Sequence, residues 1–200
     1  MLFVIYIAND RLKYYTTGVF LGANSATIYG MVNLFSTEGK IIMRAGAEMS
    51  GDNIKGLATL TEYEFGTQRL VKVVLELSGD PKNIEPGLHA VHIHEKGTCE
   101  GHYTCAGGHF DPGPASNTDP DVNHPFHAGD LPNILIDENG KGMLEAVTSR
   151  VTLSEGPLCI LSGEGTTLMV HGNPDPYRGG EHGSGISGGP RIACGVIKKV

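Results

Sequence analysis

Between residues 89 and 130 the chain gathers seven of its nine histidines and two of its four cysteines, in a stretch with too little apolar pattern to fold around a core of its own. Whatever architecture the chain adopts must bring these side chains together from separate pieces. His92 and His94 stand two apart on an apolar run that reads as a strand, so their side chains share one face. His109 follows two glycines and leads into the Phe110-Asp111-Pro112 turn, and His124, His127 and Asp130 follow at intervals of three in a loop. A lone strand histidine is more often a satisfied side chain than a ligand. Six imidazoles, these five and the later His171, gathered with a carboxylate at spacings that can close around one ion, or two neighbouring ions, point to metal instead.

The length of 200 residues suits one ordinary domain with an extra arm, and suffices for a real core. Twenty-nine glycines and 11 prolines predict many turns and long ordered loops rather than long helices. A net charge of −7 gives no indication of a nucleic-acid surface, although a local positive pocket can exist on an acidic protein. No stretch approaches the roughly 20 apolar residues of a membrane span. Residues 1–7, MLFVIYI, are apolar but short, lack a preceding positive charge and run into Asn9, Asp10 and Arg11, which makes a poor signal peptide. Cysteines at 99, 105, 159 and 194 do not have a CxxC zinc spacing, and an even count allows disulfides without choosing their pairing.

Residues 1–43, with apolar pieces at 2–7, 18–22 and 27–34, are expected to be an N-terminal extension of extra strands or an arm, with no chemistry of its own. Residues 44–200 are expected to form the functional domain. GLATLTEYEF (56–65), VKVVLEL (71–77) and HAVHIHE (89–95) read as strands, and a loop of the length of 96–133 is usually functional. NILID (133–137), Asn139-Gly140 and GMLEAVTS (142–149) read as a hairpin. LCIL (158–161), TLMVHG (167–172) and RIACGVIKKV (191–200) read as further strands, with a second Gly/Pro loop at 173–190. The fold class is therefore all-β, an antiparallel sandwich or barrel. Its metal ligands come from the third strand and the two long loops.

Four imidazoles with no thiolate, from His92, His94, His109 and His171, suit copper. His124, His127 and Asp130 with one further histidine make a closed nitrogen/oxygen set that suits zinc. If His109 lies between the two sets, its two ring nitrogens can serve both.

HAVHIHEKGTC, AGGHFDP, HAGDLPN, LMVHG and PRIACGVI resemble, in order and approximate spacing, the signature segments of the copper/zinc superoxide dismutases, with HEKGTC and GDLPN closer to the bacterial branch. The resemblance spans roughly residues 56–200. It implies an eight-stranded antiparallel Greek-key β-barrel with two long functional loops, and dismutation of superoxide to dioxygen and hydrogen peroxide using a copper ion and a zinc ion. It assigns His92, His94, His109 and His171 to copper, His109 to the bridge, and His127 and Asp130 to zinc. Arg191 becomes the guide for the anion, and Asp175 the carboxylate linking ligands of the two metals. Cys99 and Cys194 become the disulfide, which implies an extracytoplasmic (periplasmic or secreted) location, with a cytoplasmic one as the alternative. A homodimer is common in the family.

Two features depart from the pattern. Where the family has its remaining zinc histidine, this chain reads Ala115-Ser116-Asn117-Thr118. His124 is the imidazole available in its place; if it does not bind, either Asp119 or Asp121 substitutes or the zinc site is weak or lost. Cys105 competes with Cys99 for Cys194, while Cys159, in its strand, reads as a free thiol. His89 reads as a surface or packing residue turned away from His92. His102 and His182 read as solvated, and Tyr103 as packing. The competing functional reading is a non-catalytic copper-binding or copper-delivery module on the same fold, but no exposed CxC or CxxC supports it. A histidine-triad hydrolase fails because position 90 is Ala, and a cupin-type barrel leaves HAGD and RIACGV unexplained.

Overall fold

The computed structural model describes residues 2–8, 11–17, 37–113 and 117–200. The apolar pieces at 18–22 and 27–34, and Ala115 and Ser116, lie outside the described residues. Strands β1 (Leu2–Ala8) and β2 (Arg11–Thr17) pair antiparallel, and β3 (Thr37–Glu38) adds to β2. The remaining strands form one larger sheet: β4 (Lys40–Gly51), β5 (Ile54–Phe65), β6 (Gln68–Gly79), β7 (Gly87–His89), β8 (Val91–His94), β9 (Ile134–Ile136), β10 (Lys141–Thr148), β11 (Thr167–His171), β12 (Arg191–Val196) and β13 (Lys198–Lys199).

The spatial order β7-β9-β10-β6-β5-β4-β12-β11-β8 begins and ends on what is one stretch of chain. Residues 87–94 are interrupted only at Ala90; β7 pairs with β9 and β8 pairs with β11, so this run closes the sheet into a barrel. The chain leaves β6, skips the places of β10 and β9, and returns to fill them with a hairpin, which is a Greek-key path. β12 and β13 are likewise one run, both pairing with β4. With interrupted runs counted once, the barrel has eight strands.

Alternate residues fill the interior, among them Leu60, Val73, Leu75, Ile93, Leu168 and Val170. All four residues of β8 and all five of β11 are buried. Val91 and Ile93 face the core, so His92 and His94 occupy the opposite face, beneath the long loops. Met169 pairs with His92 across the ladder, and His171 falls on that same face.

One reading is corrected. LCIL (158–161) is not a strand. It lies in turns with one isolated bridge, Thr152 to Cys159, and its apolar character comes from Ile160, which plugs the barrel with Val151 and Leu153. Cys159 is thus a buried free thiol outside any strand, donating to the Leu153 carbonyl at 3.3 Å. Glu62, fully buried, ties this plug down by accepting from Leu153 N, Ser154 N and Ser154 Oγ. His89, read as a surface or packing residue turned away from His92, is a packing residue: it is buried, and its ring lies between the carbonyl oxygens of Glu85 and His171 at 2.7 and 2.8 Å.

Candidate metal centre

Each histidine of the β8–β11 face has one ring nitrogen fixed by an oxygen that can only accept. His94 Nδ1 faces the Gly107 carbonyl at 3.0 Å, His171 Nδ1 faces the Gly189 carbonyl at 3.2 Å, and His92 Nε2 faces Asp175 Oδ2 at 3.2 Å. Each ring therefore spends its one proton outward and turns a lone pair inward. The inward atoms converge, with His92 Nδ1 and His94 Nε2 lying 3.2 and 3.4 Å from His171 Nε2. His109 Nε2 is buried with no hydrogen-bond partner. One ligand atom from each of His92, His94, His109 and His171 lies within 4.8 Å of the others. Burial is the main cause that lowers the pKa of all four, holding His94 and His171 well below the usual value and His109 at about 3. Neutral, converging lone pairs repel one another unless a cation lies among them, so this set fits a metal ion.

A second set adjoins the first through His109. Its Nδ1 lies 2.8 Å from Asp130 Oδ1, while the Nδ1 atoms of His124 and His127 each lie 3.2 Å from Asp130 Oδ2. A tetrahedral ion with bonds of about 2.0–2.1 Å spaces its donors by roughly 3.3 Å, and the Nδ1 atoms of His124 and His127 each stand near that distance from Asp130 Oδ2. His124 Nδ1 and His127 Nε2 are buried without hydrogen-bond partners. One ligand atom each from His92, His109, His124 and Asp130 also lies within 4.8 Å of the others. Both groups of ligand atoms fit a metal ion, with His127 beside the second group through Asp130 rather than within it.

Asp175 joins the two sets. Its carboxylate accepts from His92 Nε2 and, at 2.7 Å, from His124 Nε2, and its backbone is held by the Asn133 side-chain amide through two bonds of 2.9 Å. Burial alone would raise the carboxyls of Asp130 and Asp175. The imidazoles outweigh it, His109 foremost at Asp130 and His124 foremost at Asp175, and hold both well below the usual carboxylate range. Against the lowering effect of burial, the same two carboxylates raise His124 to about 9.

The two carboxylates thus favour the protonated form of His124, whose proton an ion entering at Nδ1 must displace. The affinity of this set for a metal ion is expected to fall about tenfold per pH unit below the pKa of His124, with one proton released per ion. Calorimetry in buffers of different ionisation enthalpy measures this release, and none would remove His124 from the ligand set.

Arg191 Nη1 and Nη2 donate to the carbonyls of Tyr103 and Gly107 at 2.5 Å. The Gly107 carbonyl also receives His94 Nδ1, which ties the guanidinium to the first set. Gly107 has φ 75°, a left-handed conformation that favours glycine at this anchor. Cys99 and Cys194 are bonded, linking the start of the long loop to β12. Cys105 is a free, exposed thiol.

Asp121 and Asp119 have other tasks than metal binding. Asp121 is buried and accepts from Gly185 N, Ser187 N and Ser187 Oγ, tying the two long loops together. Asp119 pairs with exposed His182, and His102 is exposed. The roles of Asn133 and Asp121 have no signal in residue spacing, because each acts on backbone that is distant in sequence.

A family profile described as copper/zinc superoxide dismutase (SODC) matches residues 54–197. The chain is 35% identical over 173 residues to a superoxide dismutase [Cu-Zn] of Deinococcus radiodurans, covering 81% of this chain and 87% of that one. It is 40% identical over 145 residues to superoxide dismutase [Cu-Zn] 1 of Aquifex aeolicus, covering 72% and 79%. Among solved structures, the clock protein EA4 superposes with a TM-score of 0.63 at 32% identity, over 79% of this chain and 95% of that one.

Proposed function

Because the chain belongs to the copper/zinc superoxide dismutase family, we propose that His92, His94, His109 and His171 hold copper and that His109, His124, His127 and Asp130 hold zinc. The enzyme converts two superoxide anions and two protons to dioxygen and hydrogen peroxide. The observation that carries the ligand assignment is the convergence of inward lone pairs at 3.2 and 3.4 Å in a buried site. When bound, copper supplies the one-electron redox couple that the reaction requires.

The residues supply the rest. His109 points one ring nitrogen at each donor set, so its Nε2 can take up a proton and deliver it to the reduced oxygen while Nδ1 stays on the Asp130 side. Asp175 holds His92 and His124 in fixed orientation, so neither ring turns when its partner moves. Arg191 attracts the small anion and hydrogen-bonds to it. The barrel is the catalytic unit, with the segment before it an extension. The disulfide and the bacterial relatives support a location outside the cytoplasm.

Reconstitution with both ions is expected to yield one copper and one zinc per chain by elemental mass spectrometry, with fast superoxide turnover in the same sample. Copper without turnover would place the protein in the copper-binding class. Arg191→Ala is expected to slow turnover on the order of tenfold, the scale of electrostatic guidance, with copper content unchanged. Copper loss on that change would make Arg191 a structural residue.

A further inference from the structure

Three of the four zinc donors proposed above, His124, His127 and Asp130, sit on one segment of the long loop, and that segment turns three of its carbonyl oxygens towards a common point. Arg150, just beyond the end of β10, fills this point. Its Nη1 donates to the carbonyls of Pro125 and His127 at 3.1 and 3.0 Å, and its Nη2 donates to the carbonyl of Asp130 at 3.3 Å.

Carbonyl dipoles aimed at one another repel, and a planar guanidinium with several fixed donors offsets that better than a point charge. The His127 carbonyl it grips is also the acceptor for Asp130 N, so the clamp lies on the turn that sets the spacing between two donors. Elsewhere the loop is held by backbone bonds, Gly129 N to the Phe110 carbonyl and Leu131 N to the Val91 carbonyl, both on the Asp130 side. Arg150 extends that hold across residues 125–127.

We propose that Arg150 is a positioning residue for the zinc half of the site: it stands as a built-in cation among three loop carbonyls and presets His124, His127 and Asp130 for the ion. This inference rests on the zinc assignment above.

The test is zinc affinity by chelator competition on the full chain, wild type first, then Arg150→Ala and Arg150→Lys, with melting of the metal-free forms alongside. Arg150→Ala is expected to weaken zinc binding by about 10- to 100-fold, the usual cost of losing a group that orients ligands. Metal-free melting should change little, because Arg150 is exposed outside the clamp. The lysine variant should fall between the two, since one ammonium cannot reach three carbonyls as a fork does. Millimolar guanidinium should restore part of the affinity of Arg150→Ala and leave the wild type unaffected.

Wild-type affinity in Arg150→Ala would overturn the proposal. So would a loss matched by an equal loss of metal-free stability and not recovered by guanidinium, which would make the residue merely structural. A wild type that binds no zinc would overturn the zinc assignment itself, and this inference with it.

Discussion

His92→Ala is expected to abolish superoxide turnover and copper binding while leaving a folded barrel. The imidazole is fully buried, with Nδ1 facing His171 and Nε2 facing Asp175. Its loss removes one inward lone pair and one of the two rings that Asp175 holds. The fall in turnover should be on the order of a thousandfold or more, the scale reached when one member of a group that acts as a unit is removed. The barrel should survive because the core side of β8 is formed by Val91 and Ile93, which the change does not touch. Part of the cavity cost is offset in the metal-free protein, where one of several mutually repelling lone pairs is gone. Turnover, copper content and circular dichroism on one preparation check all three statements. His182→Ala is the control: this ring is exposed and bonded to Asp119, and its removal should leave turnover and copper content as they were. Unchanged turnover in His92→Ala would refute the copper assignment.

The first donor set is readable in sequence because it obeys a local rule. His92 and His94 share a face by strand alternation, and His171 ends another strand, so the barrel needs only to pair β8 with β11 to bring them together. The second donor set has no such rule. His124 reaches the same neighbourhood as His109 through the course of a loop, and spacing along a loop does not determine separation in space. What places it is the pair of carboxylates on either side, Asp130 at 3.2 Å and Asp175 at 2.7 Å, and the second of these lies 51 residues on. The loop aspartates offered as substitutes, Asp119 and Asp121, look equivalent in sequence. In three dimensions Asp121 is consumed by donors from the other long loop.

The strands show the same division. β5 and β6 alternate large apolar and polar residues and are plain to read. β4 is not, because its inward positions are Ala45, Ala47 and Met49, and small side chains leave little amplitude in the pattern. LCIL misleads for the opposite reason. A short apolar run marks burial, and burial in a plug across the barrel looks the same in sequence as burial in a strand. The break at Ala90, which lets one stretch of chain serve both ends of the sheet, leaves no mark in the apolar pattern.

Cys194→Ser is expected to lower the melting temperature markedly. The bridge spans 95 residues of chain. A cross-link closing a loop near that length restricts the unfolded chain by about 4–5 kcal/mol on the chain-entropy account, and loss of native disulfides costs about 2–5 kcal/mol. In a chain of this size that corresponds to a fall of roughly 10 °C or somewhat more. The effect should extend to the site, because the tethered loop carries the Gly107 carbonyl that receives both His94 Nδ1 and Arg191 Nη2. With the tether gone, weaker copper retention should accompany the lower melting point. Cys99→Ser should reproduce both effects, since it breaks the same bond. Cys105→Ser should reproduce neither, since Cys105 is an exposed free thiol. Melting curves of the three serine variants under non-reducing conditions, with copper content measured on each, separate the pairings. A large loss in Cys105→Ser with none in Cys99→Ser would transfer the bridge to Cys105, and wild-type melting in Cys194→Ser would mean that no bridge forms.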